Sequence, residues 1–152
     1  MREIKFRAWD KENKRFLEDY ELSECNLDRD GSIYRPDNSK PFNKYDSEPI
    51  FTLFTGLLDK NGKEIYEGDF YKRILDKENR FKKSYEWADY WLVEWLDEHA
   101  CFTATYIGEN TDKGMIKITP KRNRYSLLNY LEIDEIIGNI YENPELIEGA
   151  TK

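Results

Sequence analysis

The chain has 152 residues, a formal net charge of −7, and charged residues make up 36% of it. That length suits one domain, or one domain with an extension. The acidic balance speaks against a general nucleic-acid binder, because neutralising phosphates takes an excess of Lys and Arg. No apolar run approaches 18 residues and no secretory h-region follows the start, so a cytoplasmic chain without a membrane-spanning helix is expected.

Aromatic residues reach 15%, with Tyr the commonest. Each ring buries on the order of 150–250 Å², so a few inward rings do the work of many aliphatic side chains, and rings favour strands. In chain order, residues 4–9 alternate as a half-buried strand: Ile4, Phe6 and Ala8 on one face, Lys5, Arg7 and, against the pattern, Trp9 on the other. Residues 10–14 are turn-like, and 15–20 return as a second strand. Residues 21–48 carry Gly31, Pro36, Pro41 and many Asn and Asp, which reads as a long crossing segment with one short strand near 32–35.

Residues 50–55 are a β-favouring run that leads into Thr55-Gly56-Leu57-Leu58-Asp59-Lys60-Asn61-Gly62-Lys63-Glu64-Ile65-Tyr66-Glu67-Gly68-Asp69. Asn61-Gly62 is the pair that a two-residue type I′ turn requires, since both positions need positive φ. A strand from Gly68 to about residue 75 and a charged tip at 76–83 follow. In the aromatic run 85–96, Trp91, Val93 and Trp95 share a face; 97–100 turn, 101–107 return, and 115–119 form another strand that Pro120 stops. One helical turn is read at 126–131 and a last strand at 133–141, with Gly138 at a bulge. Asn143-Pro144-Glu145 then opens a short helix, Asn capping and Pro at the first helical position. Five short strands with tight turns in this half imply a small barrel or a sandwich.

The long Thr55–Asp69 phrase, the opening Arg2-Glu3-Ile4-Lys5-Phe6-Arg7-Ala8-Trp9-Asp10 and the ending Ile137-Gly138-Asn139-Ile140-Tyr141-Glu142-Asn143-Pro144-Glu145-Leu146 together resemble the YopX family of phage and prophage proteins. The resemblance implies an SH3-type barrel in the C-terminal part and brings no biochemical activity with it. The expected architecture is therefore mainly β: residues 1–54 an N-terminal β-hairpin and irregular crossing segment, 55–147 an SH3-like small β-barrel, 148–152 a tail.

No framed chemistry emerges. Gly56, Gly62 and Gly68 sit in a hairpin rather than between a strand and a helix, so they make no phosphate loop. Asp59-Lys60-Asn61-Gly62 matches a fragment of a calcium loop without its later ligands and reads as a turn. Cys25 and Cys101 are far apart with no CxxC, so both read as free, buried thiols. His99 would share a strand face with Cys101, but no motif frames the pair as nucleophile and base. Carboxylate pairs such as Asp97/Glu98 and Asp134/Glu135 are expected by chance among 31 acids. No enzyme, cofactor or metal is expected.

The best constellation is basic and aromatic. Lys72, Arg73, Arg80, Phe81, Lys82, Lys83 and Tyr85 interleave rings and cations on one expected hairpin, and Lys121, Arg122 and Arg124 form a second basic segment. A non-catalytic protein-binding module is the leading expectation, because Tyr, Trp and Arg anchor interfaces. Single-stranded nucleic acid is the alternative partner. A homo-oligomer is a further expectation, since a small barrel cannot bury every ring.

Overall fold

The computed structural model describes residues 3–24, 26–27, 33–34, 49–74, 88–110, 116–118, 124–126 and 135–148. The strands are β1 (Phe6–Asp10), β2 (Arg15–Phe16), β3 (Asn26–Leu27), β4 (Ile33–Tyr34), β5 (Ile50–Leu58), β6 (Glu64–Tyr66), β7 (Asp69–Ile74), β8 (Ala88–Leu96), β9 (Cys101–Asn110), β10 (Ile116–Ile118), β11 (Arg124–Ser126) and β12 (Glu135–Asn139). Two short helices join them, α1 (Asp19–Glu24) and α2 (Glu145–Glu148). The protein is mainly β and every described pairing is antiparallel. It divides into two compact units, Ile4–Leu53 and Phe54–Lys152, the latter with Met1–Glu3.

In the first unit, β1 pairs with β2 at Trp9↔Phe16 and Asp10↔Arg15, and with the start of β5 from Phe6↔Leu53 to Trp9↔Ile50. The Asp10 carboxylate closes the β1–β2 turn by accepting from the Glu12 and Asn13 N–H groups. The second strand ends earlier than the 15–20 expected. Glu18 and Glu21 form one half of a capping box: the Glu18 N–H donates to the Glu21 carboxylate at 2.8 Å, and the chain enters α1. Arg15 grips the same carboxylate through two bonds of 2.6 and 2.7 Å, and this bidentate bond holds Glu21 down to a pKa of about 2. The short strand expected near 32–35 is β4, which pairs with β3.

In the second unit, a six-stranded sheet runs β10-β9-β8-β7-β12, with β11 also on β9, and it curls into a half-barrel. This is the architecture expected of the C-terminal part. Ile65, Tyr71, Trp91, Val93, Phe102, Ala104 and Ile136 form its core, with Leu57, Trp95 and Tyr106 packed against it. The rings do carry the burial: Trp91 stacks on Tyr71 at 6.3 Å and meets Tyr106 edge-on at 5.2 Å, and Trp95 meets Phe102 at 5.0 Å. Such pairs add about 0.5–1.5 kcal/mol each beyond area burial. Arg124–Ser126 are strand β11, and the helical turn read at 126–131 lies, beyond Ser126, outside the described residues.

The turn between β8 and β9 is a 3-10 turn at Asp97–His99 followed by Ala100 at φ 48°. A left-handed alanine pays a Cβ penalty that glycine avoids, against a smaller entropic cost for glycine. Ala100→Gly should therefore raise stability by about 0.5 kcal/mol. A fall in the urea midpoint would show that this backbone is not as described.

Candidate functional site

Residues that looked most distinctive in the sequence are committed to building the fold. The Asn61-Gly62 hairpin is not type I′. Gly62 has φ +80° but Asn61 is not in the left-handed region. Gly62 N–H donates to the Asp59 C=O at 3.0 Å and Asp59 N–H to the Lys63 C=O at 2.8 Å, the pattern of a three-residue loop with glycine at the bulge. The cause is Asp59, whose carboxylate accepts from the N–H groups of Asn61 at 2.8 Å and Lys63 at 2.9 Å. Its other oxygen accepts from the Ile136 N–H of β12 at 3.2 Å. Burial pushes the Asp59 carboxyl up, but the N–H groups of Lys63, Ile136 and Asn61 and the Lys63 charge outweigh it and hold the group below the usual carboxylate range.

The ending phrase is used in the same way. A bulge interrupts the β12–β7 register between Ile136 and Gly138. The Asn139 N–H donates to Asn143 Oδ1 at 3.3 Å, so Asn143 turns back onto β12 instead of capping α2 through that oxygen. Asn139 Oδ1 accepts from the Tyr141 and Glu142 N–H groups. Gly68 sits at φ +83°, donating to the Val93 C=O and accepting from the Ile140 N–H. Thus two side chains, Asp59 and Asn143, occupy N–H groups of β12, a strand paired only on its β7 side among the described residues.

Of the ten basic and aromatic candidates, Arg80, Phe81, Lys82, Lys83, Tyr85, Lys121 and Arg122 lie outside the described residues. Lys72 and Arg73 are neighbours on β7, so they face opposite sides of the sheet. Lys72 is in register with Glu135 on β12 and Tyr90 on β8, and Arg73 with Asp89. Arg124 is in register with Thr105, and β8 and β9 separate its strand from β7. Lys72 and Arg73 thus do not make one basic face. His99 is exposed in the 3-10 turn and not on the strand, so it shares no strand face with Cys101. Cys101 is a free thiol only partly buried, short of the full burial expected; Cys25 lies outside the described residues. Among the described residues no three His, Cys, Asp or Glu side chains gather as a metal site, and no helix is long and apolar enough to cross a membrane.

What sequence reasoning missed lies on β1 and β5. The alternation there is right, but Ile4 and Phe6 are exposed while Ala8, on the same face, is fully buried. Ile4 is 80% exposed, Phe6 43% and Leu53 41%, whereas Trp9 and Thr52 on the other face are buried. Phe6 stands opposite Leu53, and its ring meets Phe51 edge-on at 5.5 Å. The buried face is held by Arg7, whose Nε donates to Thr52 Oγ1 at 3.1 Å and whose guanidinium lies 4.5 Å over the Phe16 ring. The available signal was Trp9. The largest ring of β1 breaks the pattern, and it marks a covered side opposite the exposed Phe6.

A protein-family model described as YopX protein matches residues 5–148. The chain belongs to the YopX family. All three phrases that carried the resemblance fall largely within that match, and the contacts above give two of them a structural role. No curated protein matches this YopX-family chain. It is similar to a solved structure, the crystal structure of protein EF1440 from Enterococcus faecalis. The likeness has 25% identity and a TM-score of 0.54, and it covers 97% of this chain and 100% of that one.

Proposed function

We propose that this YopX-family protein is an intracellular, phage- or prophage-type binding module that captures a protein partner and carries out no catalysis. The observation that carries this reading is the exposed cross-strand pair Phe6 and Leu53 on β1 and β5, with the Phe51 ring edge-on to Phe6 and Ile4 exposed two residues before it. Contiguous exposed apolar surface usually marks an interface. The buried carboxylate Asp59, by contrast, is taken up by backbone N–H groups. Single-stranded nucleic acid has less support, because Lys72 and Arg73 each stand across from an acid on a neighbouring strand.

The test begins with affinity capture from the host, purification of the captured protein and measurement of its affinity for the chain. Replacing both Phe6 and Leu53 with Ala should weaken that affinity at least tenfold, since anchors of this size cost about 1–2 kcal/mol each when truncated. Equal binding by the double variant would sink the reading. Submicromolar binding of single-stranded DNA with a steep salt dependence would replace it with the nucleic-acid alternative.

A further inference from the structure

The sequence holds one Asn-Gly pair, Asn61-Gly62, and both residues stand exposed at the tip of the β5–β6 hairpin. Asparagine before glycine carries its own chemistry. Once the Gly62 backbone nitrogen loses its proton to a solvent base, it attacks the Asn61 side-chain carbonyl carbon. A new N–C bond closes a five-membered succinimide, the Cγ–Nδ2 bond breaks and ammonia leaves. Water then opens the ring on one side to aspartate, or on the other to isoaspartate, in which the main chain runs through the side-chain carbon. Glycine offers no side chain to hinder the attack. A Cβ at Gly62 would meet nothing within 4 Å, so solvent has access to this peptide.

The closed hairpin nevertheless pins the groups that must move. Ring closure turns the Asn61–Gly62 peptide about the Asn61 Cα–C bond. That rotation carries the Gly62 N–H off the Asp59 C=O, which it meets at 3.0 Å, and the Lys63 N–H off the Asp59 carboxylate, which it meets at 2.9 Å. The same carboxylate oxygen holds the Asn61 N–H at 2.8 Å. Attack therefore waits for the loop to open, and the frequency of opening is set by the bonds it breaks.

We propose that Asn61-Gly62 is a self-modification site that the Asp59 clamp keeps unreacted in the closed hairpin, and that its isoaspartyl product unties the hairpin from β12. Isoaspartate adds one carbon to the main chain between Asp59 and Lys63, so the loop cannot restore all the bonds that close it. It also brings a second carboxylate into a loop organised around one. The Asp59 oxygen that accepts from the Ile136 N–H is held in place by that loop. The aspartyl product keeps the original main chain and its N–H groups, and with them the clamp. Loss of ammonia makes the change one-way, so a chain that spends time open accumulates a permanently loosened hairpin.

The test incubates the full chain in mildly alkaline buffer. Mass spectrometry reads deamidation as a gain of one mass unit in the peptide holding Asn61, and an isoaspartyl methyltransferase labels isoaspartate alone. In urea, Asn61 should react before the other asparagines and about tenfold or more faster than in the folded chain. Hydrogen exchange on the unmodified chain measures opening independently, and the slowing of deamidation by the fold should match the protection of the Gly62 and Lys63 amides within a few-fold. Asp59→Ala should lose that protection and react several-fold faster without urea. Asp59→Asn, whose amide oxygen still accepts from Asn61 and Lys63, should keep most of both. The isoaspartyl fraction, separated by chromatography, should unfold at a lower urea midpoint, whereas Asn61→Asp should keep the original one. Equal rates in the folded and unfolded chain, or deamidation far faster than amide opening allows, would overturn the guarding of this site by the fold. A substitution at Asp59 that strips amide protection without speeding the reaction, or Asp59→Ala with protection intact, would overturn the clamp. An isoaspartyl fraction with an unchanged midpoint would overturn the untying of β12.

Discussion

Asp59→Ala should cost about 3 kcal/mol. Three backbone N–H groups converge on this carboxylate, two from its own hairpin and one from a strand 77 residues away. Hydrogen bonds to a charged acceptor are worth about 1.5–3 kcal/mol, and Ile136, whose N–H would be orphaned, is itself buried. Asp59→Asn should cost less, because one amide oxygen can still accept from Asn61 and Lys63 while the amide nitrogen faces the Ile136 N–H donor to donor. The effect carries a pH signature. Because the folded-state pKa of Asp59 is lowered from 3.8, its contribution is fully present above about pH 4–5 and is lost as pH falls through the folded value. The gap in urea midpoint between the protein and Asp59→Ala should therefore be widest near neutrality and shrink below pH 4. A gap that stays flat from pH 7 to 3 would mean the ionised carboxylate is not what holds β12 to the hairpin.

Asp59 also shows where sequence reasoning reaches its limit. Asn61-Gly62 marks the position of the turn because Gly62 must take positive φ. The type of turn is decided by a neighbour: with the Asp59 side chain bonding forward to residues two and four on, the loop is wider and Asn61 stays out of the left-handed region. β8 was legible because Trp91, Val93 and Trp95 repeat with period two and all three enter or pack against one core. The helix α1 was not, because Phe16 and Tyr20 favour strands locally. What overrides them is a side-chain bond between Glu18 and Glu21 that propensity does not register. The candidate site was least legible. Periodicity separates the two faces of β1 and β5 but says nothing of how far along the strand the fold covers each, so Ile4 and Phe6 are exposed although Ala8, on their face, is buried. Seven of the ten basic and aromatic candidates lie outside the described residues. Lys72 and Arg73 alternate across the sheet, and each meets an acid in register.

Gly138→Ala should cost about 2–4 kcal/mol, in part because φ +158° is a conformation that L side chains rarely adopt and mainly because of the residue it faces. A Cβ at Gly138 would land on Asn143 Oδ1 and its Cγ. Asn143 cannot move away cheaply: its Oδ1 accepts from the Asn139 N–H, and its backbone N–H donates to the Asn139 C=O at 2.9 Å. Displacing it unmakes the turn after β12 and the bulge that sets the register with β7. Asn143→Gly removes the obstructing side chain and should itself cost about 1 kcal/mol through the lost bond to Asn139 and the freer backbone. The two sites touch, so their effects should not add. Gly138→Ala combined with Asn143→Gly should be no less stable than Gly138→Ala alone, because the new methyl then enters space the amide has left. Simple additivity in that double-mutant cycle would show that the methyl is accommodated elsewhere and that Asn143 is not the partner for which position 138 is kept small.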